Sequence, residues 1–157
     1  MIAGIGIDAC EVDRMRRVLA APHGDRFRDR VFTEAEQAYC EARGRGRVQS
    51  YAVRFAAKEA AMKVLGTGWG DGVAWHDIEV VSGPTGQPAL RLRGRAALLA
   101  RRLGMASWFV SLTHTRATAT AWVIAERGTV RARTGRRNRG AEAAAARPRP
   151  RARRRSR

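Results

Sequence analysis

The chain has 157 residues and a formal net charge of +17, enough length for one domain with a real core. The charge is uneven: residues 127–157 hold 13 Arg and one acid (Glu142), against 18 basic and 13 acidic residues in 1–126. That tail of Arg, Ala, Gly and Pro has no apolar periodicity, so it reads as a disordered extension of a single domain over 1–126, and no run anywhere is long enough to cross a bilayer.

Taken in order, Ile2–Ile7 is a short apolar strand ending at Asp8, with Gly4 and Gly6 leaving room for close neighbours. Asp8 stands either as an exposed functional carboxylate at a strand end or as the cap of the helix that follows. That helix, 11–21, mixes Val12, Met15, Val18 and Leu19 with Arg14, Arg16 and Arg17, and Pro22-His23-Gly24 breaks it. Thr33 and Glu36 form a capping-box start to a helix through about Ala42. Arg43-Gly44-Arg45-Gly46-Arg47 is a flexible basic loop.

The chain is organised around the next stretch, a helix over 50–65 with Ser50 as N-cap and Gly66 in the left-handed position after its end. Ala56, Ala57, Ala60, Ala61, Val53, Val64 and Leu65 share one face, while Arg54 with Lys58 and Glu59 with Lys63 form two polar edges. Of the 31 basic residues 29 are Arg, and both lysines lie in this helix. Lysine is a compact, titratable point charge, so at positions 58 and 63 arginine does not serve equally well.

Beyond it, the run 66–72 is glycine-rich but follows a helix and is no dinucleotide loop; no Walker pattern exists either. Residues 77–81 and 88–92 alternate as strands around a turn at 82–87. A helix over 94–103 stops at Gly104, and strands over 108–114 and 118–125 flank a turn at 114–117. The expected fold is α+β, an antiparallel sheet with a long central helix.

Cys10 and Cys40 show no CxxC spacing and no Cys/His cluster, which excludes a zinc or disulfide framework and fits a reducing, cytoplasmic setting. The N-terminus has no export signal. Ser111 and His114 lack a nucleophile elbow and a third partner. What remains is Asp8 and Glu59, distant in sequence, with Lys58, Lys63 and His114. Two carboxylates are what Mg²⁺ takes from a protein when phosphate and water complete its shell, and lysines would neutralise phosphate charge. The Glu59–Lys63 spacing equally suits an ordinary helix ion pair.

Gly4-Ile5-Gly6-Ile7-Asp8, Phe32-Thr33-Glu34-Ala35-Glu36, Arg54-Phe55-Ala56-Ala57-Lys58-Glu59-Ala60 with Lys63 and Leu65-Gly66-Thr67-Gly68, and Ser111-Leu112-Thr113-His114-Thr115 together resemble holo-acyl-carrier-protein synthase, the small type of 4′-phosphopantetheinyl transferase. The resemblance runs in order over about 2–125. It implies the 4′-phosphopantetheinyl transferase fold and transfer of 4′-phosphopantetheine from coenzyme A to a serine of apo-acyl carrier protein, releasing adenosine 3′,5′-bisphosphate. By the same likeness Asp8 and Glu59 hold Mg²⁺, Glu59 or a water it orients takes the serine proton, and Lys63 meets the phosphate. Arg45, Arg47, Arg54, Gly66, His114 and Thr115 approach coenzyme A. Arg14, Met15 and Arg17 receive the carrier's acidic helix, and the family's trimers place each site at a subunit boundary.

The alternative is a basic nucleic-acid-binding protein acting through the tail, which has no Phe, Tyr or Trp to stack on bases. A carrier-docking module without activity is a third reading of the same fold.

Overall fold

A computed structural model describes residues 1–68, 72–83 and 85–128. The Arg-rich tail past 128, and residues 69–71 and 84 of the two turns noted above, lie outside the described residues.

Among the described residues, five strands and five helices follow in the order β1 (Ile2–Glu11), α1 (Val12–Ala20), α2 (Gly24–Val31), α3 (Glu34–Glu41), α4 (Arg47–Leu65), β2 (Ile78–Ser82), β3 (Pro88–Leu92), α5 (Gly94–Arg102), β4 (Met105–His114) and β5 (Thr118–Arg127). Single 3₁₀ turns at Gly44–Gly46 and Trp75–Asp77 precede α4 and β2. β1, β5 and β4 form an antiparallel sheet with β5 in the middle, and β2 pairs with β3 as a separate hairpin. The architecture is the expected α+β arrangement, with α4 laid against β1 and β5.

That contact is close because the facing residues are small. Along β5, Ala119, Ala121, Val123 and Ala125 are fully buried, alternating with outward Thr118, Trp122 and their neighbours. Ala56, Ala57, Ala60 and Ala61 of α4 are equally buried. At Gly6 the two backbones almost touch: a Cβ there would lie 2.1 Å from the Ala60 carbonyl oxygen, so only glycine fits.

Three local expectations changed. β1 does not end at Asp8 but continues to Glu11, because Asp8, Ala9, Cys10 and Glu11 pair with Ala121, Thr120, Ala119 and Thr118. Asp8 is therefore no helix cap; Glu11 precedes α1 without a side-chain capping bond. Helix α4 starts at Arg47, so Ser50 lies buried inside it rather than capping it, and the supposed loop before it is partly a 3₁₀ turn.

The predicted ends of α3 and α4 stand. Thr33 Oγ1 accepts from the Glu36 N–H, while the Thr33 N–H donates to Glu36 Oε2. Gly66 closes α4 at φ +70°, and the Thr67 N–H donates to the Met62 carbonyl at 3.1 Å. Thirteen residues of α4 are buried, which makes it a core helix and not a surface one. Arg54 and Lys58, expected at a polar edge, are among them.

Candidate active site

Asp8 pairs with Ala121 and so faces the side of the sheet on which α4 lies. Lys63, near the end of α4, reaches across: its Nζ donates to Asp8 Oδ1 at 2.9 Å and to the Ile7 carbonyl at 2.8 Å. Glu59 sits one helical turn before Lys63 on the same face, half-buried. Two residues along β1, the Cys10 thiol registers both acids. Burial, first, pushes it up to about 11; Arg14 lowers it, while Asp8, Glu11 and Glu59 raise it further. Asp8, Glu59 and Lys63 thus converge from a strand and a helix 51 residues apart in register, held together by the Gly6–Ala60 approach.

The donor set suits a hard cation. Both acids offer oxygen only, and among the described residues no group of three or more His, Cys, Asp or Glu could hold a metal by itself. A Mg²⁺ ion that relies on one or two carboxylates and completes its shell from phosphate and water fits such a pair.

His114 ends β4 and lies in one row with Ala119 and Cys10, on the same face as Asp8, and is exposed. Thr115 opens the following turn, where its hydroxyl accepts from the Ala117 and Thr118 N–H groups at 3.1 Å each. Gly66 follows Lys63 by three residues and is exposed.

The arginines fall elsewhere. Arg45 is exposed in the 3₁₀ turn, and Arg47 opens α4 in an ion pair with Glu41 and over the Tyr51 ring. At about 1.5 Å per residue, Arg47 is roughly 18 Å along the helix axis from Glu59. Arg54 is buried, its guanidinium 3.9 Å from the centre of the Tyr39 ring, with Arg43 on the same ring. Its Nε has no hydrogen-bond partner. One protomer therefore does not bring these arginines to the acids.

Two expectations are corrected. Lys58 does not face the site: its Nζ is fully buried on the other side of α4, 2.8 Å from Glu36 Oε2, and donates to the Trp75 and Ile78 carbonyls. Met15 does not face a partner either, because the Val12, Met15, Leu19 spacing turns it into the core, where it is buried; Arg14 and Arg17 stay exposed.

The sequence reading also missed a cavity of about 630 Å³ lined by Arg30, Met62, Trp75 and His76 among others. Met62, three residues after Glu59, is the cavity's contribution from α4. No local pattern announces it, since its wall is assembled from α2, α4 and the segment before β2.

Two acids and a lysine, set between a small antiparallel sheet and a buried helix, make an α+β fold with one polar corner. The chain belongs to the 4′-phosphopantetheinyl transferase superfamily, whose family model it matches over residues 4–125. It is similar to the holo-[acyl-carrier-protein] synthases of Solibacter usitatus, 48% identical across 80% of this chain and 99% of the relative. The enzyme of the same name from Anaeromyxobacter dehalogenans is 52% identical across 80% and 97%. Solved structures agree: holo-[acyl-carrier-protein] synthase from Neisseria meningitidis has a TM-score of 0.72 at 31% identity, covering 81% of this chain and all of that one. The Bacillus anthracis enzyme in complex with CoA (3′,5′-ADP) scores 0.66 at 34% identity, covering 82% and 99%.

Proposed function

We propose that this chain is a holo-acyl-carrier-protein synthase that transfers 4′-phosphopantetheine from coenzyme A to a serine of an apo-carrier protein. The single observation that carries the proposal is Lys63 Nζ seated 2.9 Å from Asp8 on the helix face that presents Glu59, in a chain of this family. The serine oxygen forms a bond to the phosphorus that bears pantetheine, the diphosphate P–O bond breaks, and adenosine 3′,5′-bisphosphate leaves.

Asp8 and Glu59 would hold Mg²⁺, which supplies Lewis-acid polarisation and charge neutralisation at the diphosphate. Glu59, directly or through a water it orients, accepts the serine proton. Lys63 meets the phosphate charge. The cavity beside Met62 and Trp75 offers apolar walls to the uncharged pantetheine arm. On α1, exposed Arg14 and Arg17 suit an acidic helix of the carrier protein.

Arg45, Arg47, Arg54, His114 and Thr115 serve the 3′-phosphate end of coenzyme A. Because the first three are remote from Asp8 within a protomer, the reading requires a neighbouring copy, and the outer face of the sheet is built for one. Ile5, Ile7, Phe109 and Trp122 are all about half-exposed there, in adjoining rows across β1, β5 and β4. We infer a homotrimer that covers this apolar face and completes each site at a boundary.

The family model covers residues 4–125, and the comparisons give no support to the nucleic-acid alternative. The test is mass spectrometry of an apo-carrier protein incubated with enzyme, coenzyme A and Mg²⁺. The carrier gains the phosphopantetheine mass, EDTA abolishes the gain, and Glu59→Gln folds and docks the carrier yet loses at least ~100-fold in turnover. An unmodified carrier with the wild-type enzyme rejects the function.

A further inference from the structure

Lys63 is held on β1 by two acceptors, not by one. Two of its three ammonium protons are directed at the Asp8 carboxylate and the Ile7 carbonyl, at 2.9 and 2.8 Å. The Asp8 side chain is only 19% exposed, so its charge needs a counter-charge; the Lys63 side chain, at 53%, keeps a solvated stem with room to swing. The ammonium sits on Asp8 Oδ1, and a divalent cation on either oxygen of that carboxylate would stand within about 5 Å of it, where two positive charges repel.

We propose that Lys63 is the resident counter-ion of Asp8, and that it leaves Asp8 only when the diphosphate offers it other anionic oxygens. The proposal rests on the metal reading above. Divalent cation and coenzyme A are then coupled ligands: the free enzyme binds the cation weakly, and each ligand raises the affinity for the other by the same factor. Lysine at this position, in a chain that otherwise uses Arg almost throughout, follows from the same device. A single-point ammonium on a flexible stem can be withdrawn, whereas a guanidinium would clamp the carboxylate with two parallel bonds.

The probe is Mn²⁺, titrated against the full-length protein and followed by the electron paramagnetic resonance of the free ion. Wild type binds Mn²⁺ weakly alone and at least ~10-fold more tightly with coenzyme A. Lys63→Gln, or Lys63→Met should glutamine find a partner of its own, binds Mn²⁺ alone at least ~5-fold more tightly than wild type and gains less from coenzyme A. Lys63→Arg binds it more weakly than wild type. Arg16→Gln, which removes a positive charge from α1 where it pairs with Asp13, stays within ~2-fold. Equal affinity of wild type and Lys63→Gln, with binding still lost in Asp8→Asn, overturns the counter-ion role and leaves the metal reading standing. Binding that survives both Asp8→Asn and Glu59→Gln overturns the metal reading, and this inference with it.

Discussion

Lys58 Nζ lies 2.8 Å from Glu36 Oε2, and neither side chain has any exposed surface. The pair is fully satisfied: Lys58 also donates to two carbonyls, and Glu36 also accepts from the Thr33 and Val80 N–H groups. It joins α4, the start of α3, and β2 with the turn before it. Glu79 extends the network by accepting from Thr33 Oγ1, Arg91 and Arg93. The chain's two lysines therefore differ in place, one buried in the scaffold and one exposed beside Asp8.

Removing one partner strands a buried charge, which typically costs about 3–5 kcal/mol. Lys58→Met and Glu36→Gln each lower the urea midpoint accordingly, and the double variant loses less than the sum of the two. Additive losses in equilibrium unfolding would show that the pair is not coupled.

A glutamate at Trp122 places a charge in the middle of the exposed apolar sheet face. The expected outcome is a monomer by light scattering, native helix content by circular dichroism, and transfer reduced at least ~100-fold, because the arginines of a neighbour no longer reach Asp8 and Glu59. A variant that keeps the wild-type mass and rate removes this face from the assembly.

Both thiols are hard to ionise. Burial, the largest cause in each case, pushes Cys10 up to about 11 and Cys40 up to about 12. Unfolded thiols titrate near 9, so above that pH the unfolded chain has lost protons that the native state keeps. Stability then falls as pH rises through the window from 9 to about 12. Lys58, held below the usual lysine range by burial, acts in the opposite direction. The cysteine contribution is therefore read as a difference: Cys40→Ala loses less melting temperature than wild type between pH 8.5 and ~11. Identical slopes for the two proteins would discard it.

Removing residues 129–157 leaves the rate of transfer within ~2-fold, since every described element and every candidate site residue precedes them. A loss of more than ~10-fold in the mass-spectrometric assay would assign the tail a part in function.

The sequence carried local structure well and charge placement poorly. The Thr33–Glu36 box, the glycine after α4 and the strands β2 to β5 are short-range patterns, and each is present, although β2 and β3 lack the alternating burial expected of them. Asp8, Glu59 and Lys63 were legible as candidates from residue type and family likeness, and the structure brings them together. Burial of Arg54 and Lys58 was not legible, whereas that of Met15 followed from its apolar spacing and only the family likeness had turned it outward. A charged side chain signals exposure unless its partner is known, and Glu36 is 22 residues away from Lys58, on another helix. The length of β1 was misjudged for a similar reason, because its last residues are strand only through pairing with β5.

The contact of Gly6 with the Ala60 carbonyl sets a gauge. The strand bearing Asp8 and the helix bearing Glu59 are spaced by main chain meeting main chain, a separation that no rotamer can alter. Side chains elsewhere in the core can change while the main chains that carry the two acids keep their spacing. The methyl group that residue 6 does not have is, in that sense, the calibration of the gap between strand and helix.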